Sequence, residues 1–111
     1  FGFLATEGGA VTQATSKSTG VTLNTRCGAI TMNNASLGAS TSVSFTLTNS
    51  TIATDDVVVA SISSGATAAS YLIFVDDVGA GSCRFHVRNV SGGSLGEAIV
   101  ISFAVIKVTI A

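Results

Sequence analysis

The sequence predicts an all-β domain, a single β-sandwich of about seven or eight short antiparallel strands, jelly-roll-like or Greek-key in its connections. Three observations carry this. Apolar and polar residues alternate with period two along most of the chain, the repeat of a half-buried strand. There is no proline, no heptad and no helical stripe longer than a turn or two. Turn-forming residues interrupt the runs at short intervals, at Asn33-Asn34, Gly38, Ser64-Gly65, Gly79-Ala80-Gly81 and Gly92-Gly93.

The elements follow in order. The Gly- and Thr-rich stretch Gly8 to Gly20 reads as an arm or linker, with one loose strand-like run from Val11 to Ala14. The expected organisation is therefore an arm over residues 1–20 and a sandwich over 21–111. Val21 to Asn24 and Ala29 to Met32 are the next short candidates. Val43, Phe45 and Leu47 alternate with Ser44, Thr46 and Thr48. Val57, Val59 and Ser61 alternate with Val58, Ala60 and Ile62, leaving few polar positions. Tyr71 to Val75 is another β-type run, and Cys83, Phe85 and Val87 alternate with Arg84, His86 and Arg88.

The last strand, Glu97 to Ile110, is apolar on both faces. One row is Ile99, Ile101, Phe103 and Val105; the other is Ala98, Val100, Ala104, Ile106 and Val108. A small antiparallel domain needs only one such row for its core. The first row, with the larger side chains, is expected inside. The second is expected to be covered by another copy of the chain, with Val100, Ala104, Ile106 and Val108 at the contact. The alternative is a central strand in a closed sandwich, with a loop or the Gly8–Gly20 arm over its second face.

Composition narrows the function classes. Among the 111 residues, 47% are hydrophobic and only 10% charged, below the usual quarter. Ser, Thr and Asn must supply the polar surface, and weakly charged surfaces tend to pack into assemblies. A net charge of −1 gives no positive field for nucleic acid. No apolar run approaches the roughly 20 residues of a membrane helix. The chain opens at Phe1 without an initiator Met or a charged signal-like segment, as a mature product or a piece of a longer polypeptide would.

No catalytic constellation emerges, and no catalytic, cofactor-binding or metal-ligating residue is expected. His86 is the single histidine, so a His-paired metal site cannot form within one chain. It lies between Arg84 and Arg88 on one strand face, a short basic ridge that either contacts an anionic sugar or phosphate or is simply solvated. Asp55-Asp56 and Asp76-Asp77 suggest calcium, but adjacent strand residues point apart and cannot form a claw alone. The six acids single out no pair for glycoside hydrolysis. There is no Gly-x-Ser-x-Gly elbow, and the glycine pairs precede no helix that could bind phosphate. Cys27 and Cys83 lie in apolar patterns; they either pair across the fold or remain thiols of a protein made in a reducing cytoplasm. Asn34-Ala35-Ser36, Asn49-Ser50-Thr51 and Asn89-Val90-Ser91 match the N-glycosylation triplet, as chance allows in so Ser/Thr-rich a chain.

Several blocks together resemble a domain of the virion structural proteins of tailed bacteriophages and prophages. They are Val11–Asn24 (VTQATSKSTGVTLN), Gly28–Leu37 (GAITMNNASL), Val43–Ala53 (VSFTLTNSTIA) and Cys83–Lys107 with its core RNVSGGSL from Arg88. The resemblance covers nearly all of the chain after Gly8. It implies a terminal module of a longer particle protein, such as a tail fibre, spike or head decoration, and carries no catalytic residues. It further implies a virion location after synthesis in the host cytoplasm, a homotrimer by analogy of class, contacts with other virion proteins and contact with a bacterial surface glycan. A capsid decoration protein is the alternative within that class. A carbohydrate-binding sandwich is the alternative outside it, although one Tyr, six Phe and no Trp make a thin stacking platform.

Overall fold

The computed structural model describes residues 8–108. Among them there is no helix, and eight strands form two packed four-stranded sheets. The strands are β1 (Ala10–Thr12), β2 (Val21–Thr22), β3 (Cys27–Thr31), β4 (Thr41–Thr48), β5 (Val57–Ser64), β6 (Tyr71–Gly79), β7 (Ser82–Asn89) and β8 (Val100–Ile106). Sheet A has the order β1-β3-β8-β5, and sheet B the order β2-β4-β7-β6. The chain weaves between layers, and only the β6–β7 hairpin joins neighbours of one sheet.

The fold is the expected all-β sandwich, with two departures. The sheets are mixed, because β1 pairs parallel to β3 and β2 parallel to β4. The final strand is also shorter than Glu97–Ile110. It begins at Val100 and ends at Ile106; Val108 lies beyond it, and Thr109 and Ile110 fall outside the described residues. Side-chain bonds leave the backbone on either side to other partners. Glu97 gives its carbonyl to Lys17, and Lys107 turns its ammonium to Asp56 Oδ2 at 2.6 Å.

Of the arm expected over residues 1–20, the described part belongs to the sandwich. β1 forms one edge of sheet A, and Gln13 and Lys17 are buried. Lys17 is only 3% exposed and donates to the carbonyls of Asn33 and Glu97, both at 2.6 Å. Burial pushes its ammonium below the ordinary lysine range, and the charge of Glu97 opposes that shift. Gln13 Nε2 donates to the carbonyls of Lys17 and Thr19, and its Oε1 accepts from Asn33 N–H. A buried ammonium is tolerated here because two carbonyls accept from it.

Alternation places the core between the sheets. Sheet A contributes Ile30, Ile99, Ile101, Phe103 and Val105; sheet B contributes Phe45, Leu47, Cys83, Phe85 and Val87. Phe85 stacks on Phe45 at 5.3 Å between centroids and meets Phe103 edge-on at 6.2 Å, so aromatic contact bridges the layers. The inward row of the last strand is thus the row expected. Gly65, with φ of +78°, lets the end of β5 turn where a Cβ would lie 2.3 Å from the Ala98 carbonyl oxygen.

Two of the three Asn-x-Ser/Thr triplets are strand-end anchors. Asn49 and Asn89 are fully buried. Each Oδ1 accepts both the backbone N–H and the hydroxyl of the residue two ahead, Thr51 and Ser91. Asn49 Nδ2 donates to Thr25 O, and Asn89 Nδ2 to Leu37 O and Gly93 O. This Asx geometry needs a short amide and a hydroxyl at that spacing. Replacing Asn89 with Ala strands several buried backbone groups, and urea unfolding is expected to show a loss of about 2–4 kcal/mol. A loss under about 0.5 kcal/mol, the range of ordinary surface changes, would show that the anchor is dispensable.

Candidate functional site

The two outer faces of the sandwich differ sharply in chemistry. β8 lies between β3 and β5 in sheet A, so its outward row is flanked on both sides. Register places Val59 and Cys27 beside Ala104, Ser61 and Ala29 beside Ser102, Thr31 and Ser64 beside Val100, and Val57 beside Ile106. Ala10 and Thr12 extend the same face through β1. Along these paired strands the outer face of sheet A carries no charged side chain. Val57 and Val59 are each 45% exposed, and a shallow open depression lies over Val59, Ser61, Ser102 and Ala104. Of the expected contact row, Val100, Ala104 and Ile106 stand half-buried on this face, while Val108 is exposed beyond the strand end.

The outer face of sheet B is a three-by-three grid of polar, charged and large apolar groups. Cross-strand rows are Ser42–Arg88–Leu72, Ser44–His86–Phe74 and Thr46–Arg84–Asp76. The structure thus brings Arg84, His86 and Arg88 together along the central strand β7. His86 stacks on Phe74 with centroids 4.7 Å apart and planes within 8°, and its Nε2 lies 2.7 Å from Asp76 Oδ1. Arg88 Nη1 donates to Ser42 Oγ at 3.1 Å. Sequence reasoning named the three basic residues together, considered Asp76 only beside Asp77 as a calcium candidate, and did not single out Phe74. Ala80 and Gly81 form the tight connection between the paired Gly79 and Ser82, and the turn signal at Gly79-Ala80-Gly81 was visible.

Glu97, Tyr71 and Asp56 hold connections between strands. Glu97 accepts from Thr67 N–H, Thr67 Oγ1 and Tyr71 Oη, and these bonds, Tyr71's foremost, hold its carboxyl below the usual range. A carboxylate so saturated is a poor general acid. Burial and the Glu97 bond push the Tyr71 phenol up. Asp56 is held low chiefly by the bond from Lys107 and accepts from Ala53 N–H as well. Asp55 contributes no ligand partner, Asp77 sits at a positive φ of 54° in the β6 irregularity, and no group of three metal-ligating residues occurs among the described residues.

Both cysteines are free thiols in different layers. Cys27 faces outward on sheet A; Cys83 faces the core of sheet B and is pushed up to about 11 by burial.

Set beside protein-family models, curated proteins and solved structures, the chain matches none.

The thiols give a direct check of the layering. With the chain diluted until it is a monomer, a thiol reagent at mild alkaline pH is expected to modify Cys27 quickly and Cys83 only after denaturation, because the Cys83 thiol is buried and mostly protonated there. Equal rates for the two in the folded protein would contradict the placement.

Proposed function

We propose that this chain is a non-enzymatic structural or adhesion module of a bacteriophage particle, a tail fibre or spike domain, that works as a homo-oligomer. The observation that carries the assembly half is the charge-free outer face of sheet A. Val57, Val59 and Ile106 left in water forfeit much of the roughly 1.5–3 kcal/mol that full burial of each provides. An uncharged sheet face with exposed valines among small hydroxyl residues suits a protein contact. The virion placement is supported by the resemblance of the blocks at Val11–Asn24, Gly28–Leu37, Val43–Ala53 and Cys83–Lys107 to phage structural proteins. The trimer number and the virion location follow from that likeness alone. Capsid decoration, with the same face seated on a capsomer, is the alternative within the reading.

The adhesion half draws on the grid of sheet B. Arg84 and Arg88 supply planar donors, Asp76 an acceptor, and Phe74 is 49% exposed beside them. Such a set suits a saccharide bearing an acidic group.

Light scattering at micromolar concentration is expected to give a mass above that of one chain. Val59→Asp, at an exposed position that a monomer tolerates, is expected to lower that mass while leaving the far-ultraviolet circular dichroism unchanged. A single-chain mass for the unmodified protein would overturn the assembly reading.

A further inference from the structure

The edge strand β6 presents a second self-complementary surface, distinct from the outer face of sheet A and independent of the virion reading. It is nine residues long, has no neighbour on its outer side among the described residues, and contains neither Pro nor Lys; its two charges and its irregularity are confined to its end, from Asp76 onward. Leu72 and Phe74 on it are 54% and 49% exposed. On the opposite flank of the sandwich, β1 and β2 are only three and two residues long.

Backbone parity shows what this edge offers. Val90 N–H donates to the Ser70 carbonyl at 2.9 Å, and the pairing continues as Leu72 with Arg88, Phe74 with His86 and Asp76 with Arg84. Antiparallel hydrogen-bonded pairs alternate with non-hydrogen-bonded ones. The even-numbered residues therefore use their N–H and C=O groups on β7. Tyr71, Ile73 and Val75 direct theirs out of the sheet.

We infer that β6 pairs antiparallel with β6 of a second copy about a two-fold axis at Phe74, joining the two B sheets into one eight-stranded sheet. In this register Ile73 of each copy exchanges hydrogen bonds with Val75 of the other. Phe74 faces its own counterpart as a non-hydrogen-bonded pair, where side chains approach most closely. The Phe74–His86 stack then meets its twin, giving a run of four rings. Leu72 falls opposite Asp76 of the second copy. Arg88, one strand in from Leu72, stands about two strand spacings, near 10 Å, from that carboxylate, within the combined length of the two side chains. Asp76 of each copy is then flanked by Arg84 of its own chain and Arg88 of the other. This charge match selects the register, since a shift that sets Leu72 against Phe74 moves Asp76 away from Arg88. Contacts of this kind are isologous and close into a dimer, not a fibre.

Disulfide trapping tests the contact residue by residue, in full-length protein carrying Cys27→Ser and retaining the buried Cys83. A cysteine at the two-fold faces its own copy at a separation that a disulfide spans. Under mild oxidation Phe74→Cys is expected to give several-fold more covalent dimer than Leu72→Cys. The pair Leu72→Cys with Asp76→Cys keeps the Phe74 contact but loses the match of Asp76 with Arg88, and is expected to cross-link less than Phe74→Cys but several-fold more than Leu72→Cys alone. Adding Val59→Asp to Phe74→Cys should leave the cross-link intact, separating this edge from the face of sheet A. Circular dichroism confirms that each variant is folded; if Phe74→Cys is not, the double variant decides. Leu72→Cys alone matching either, or no dimer from any folded variant, would overturn the proposal.

Discussion

Strand β8 has to satisfy two surfaces at once, and the rest of the sandwich follows from how it does so. It is hydrogen-bonded on both sides, to β3 and β5, so it cannot turn away from either layer it faces. Its inward row, continued by Ile99, is fully or almost fully buried, and Phe103 reaches Phe85 across the interior. Strand pleating then obliges Val100, Ser102, Ala104 and Ile106 to point out. Small and apolar groups there, met by Val57, Val59, Cys27 and Ala29 from the flanking strands, make an uncharged surface. The same alternation on sheet B has the opposite result, because β7 sets Arg84, His86 and Arg88 between its core residues.

So few charges leave the loops to be ordered by amides and hydroxyls, by Lys17 and Lys107, and by the carboxylates of Asp56 and Glu97. Lys17 ties segments from the two ends of the chain, through Asn33 and Glu97. Asn49 and Asn89 close the ends of β4 and β7 on themselves and on distant carbonyls. Glu97 in turn holds the β5–β6 connection through Thr67 and Tyr71. These bonds lie at the periphery, where the woven topology brings crossing segments together. The sheets supply burial; the polar anchors fix which loop meets which strand.

Much of the layering was legible because period two is a strong signal. The alternations around Phe45, Phe85 and Ile101 point the right residues inward, and the outward direction of Val100, Ala104 and Ile106 follows from the same pleat. Other features had no local signature. The two parallel pairings rest on strands of two and three residues whose partners are set by long-range topology. Lys17 lies in a Ser/Thr-rich stretch that reads as a solvated arm, and its burial depends on carbonyls 16 and 80 positions away. Residues 97–99 carry strand-like side chains, yet Glu97 is claimed by Lys17, Thr67 and Tyr71. The Phe74–His86–Asp76 arrangement needed the hairpin register, which residue types alone do not supply. The Asn triplets looked like coincidence because their hydroxyl partners matter only once the turn is formed.

The central claim is that the outward row of β8 and its neighbours on β5 form a covered surface in the assembled protein. Hydroxyl-radical footprinting with mass spectrometry reads this at single residues, with the exposed Val90, which follows β7 of the other sheet, as an internal reference. At micromolar concentration Val59 and Ile106 should be oxidised well below the level their exposure in one chain implies, relative to Val90, and should recover on dilution. Oxidation of Val59 in constant proportion to Val90 at every concentration would contradict the account.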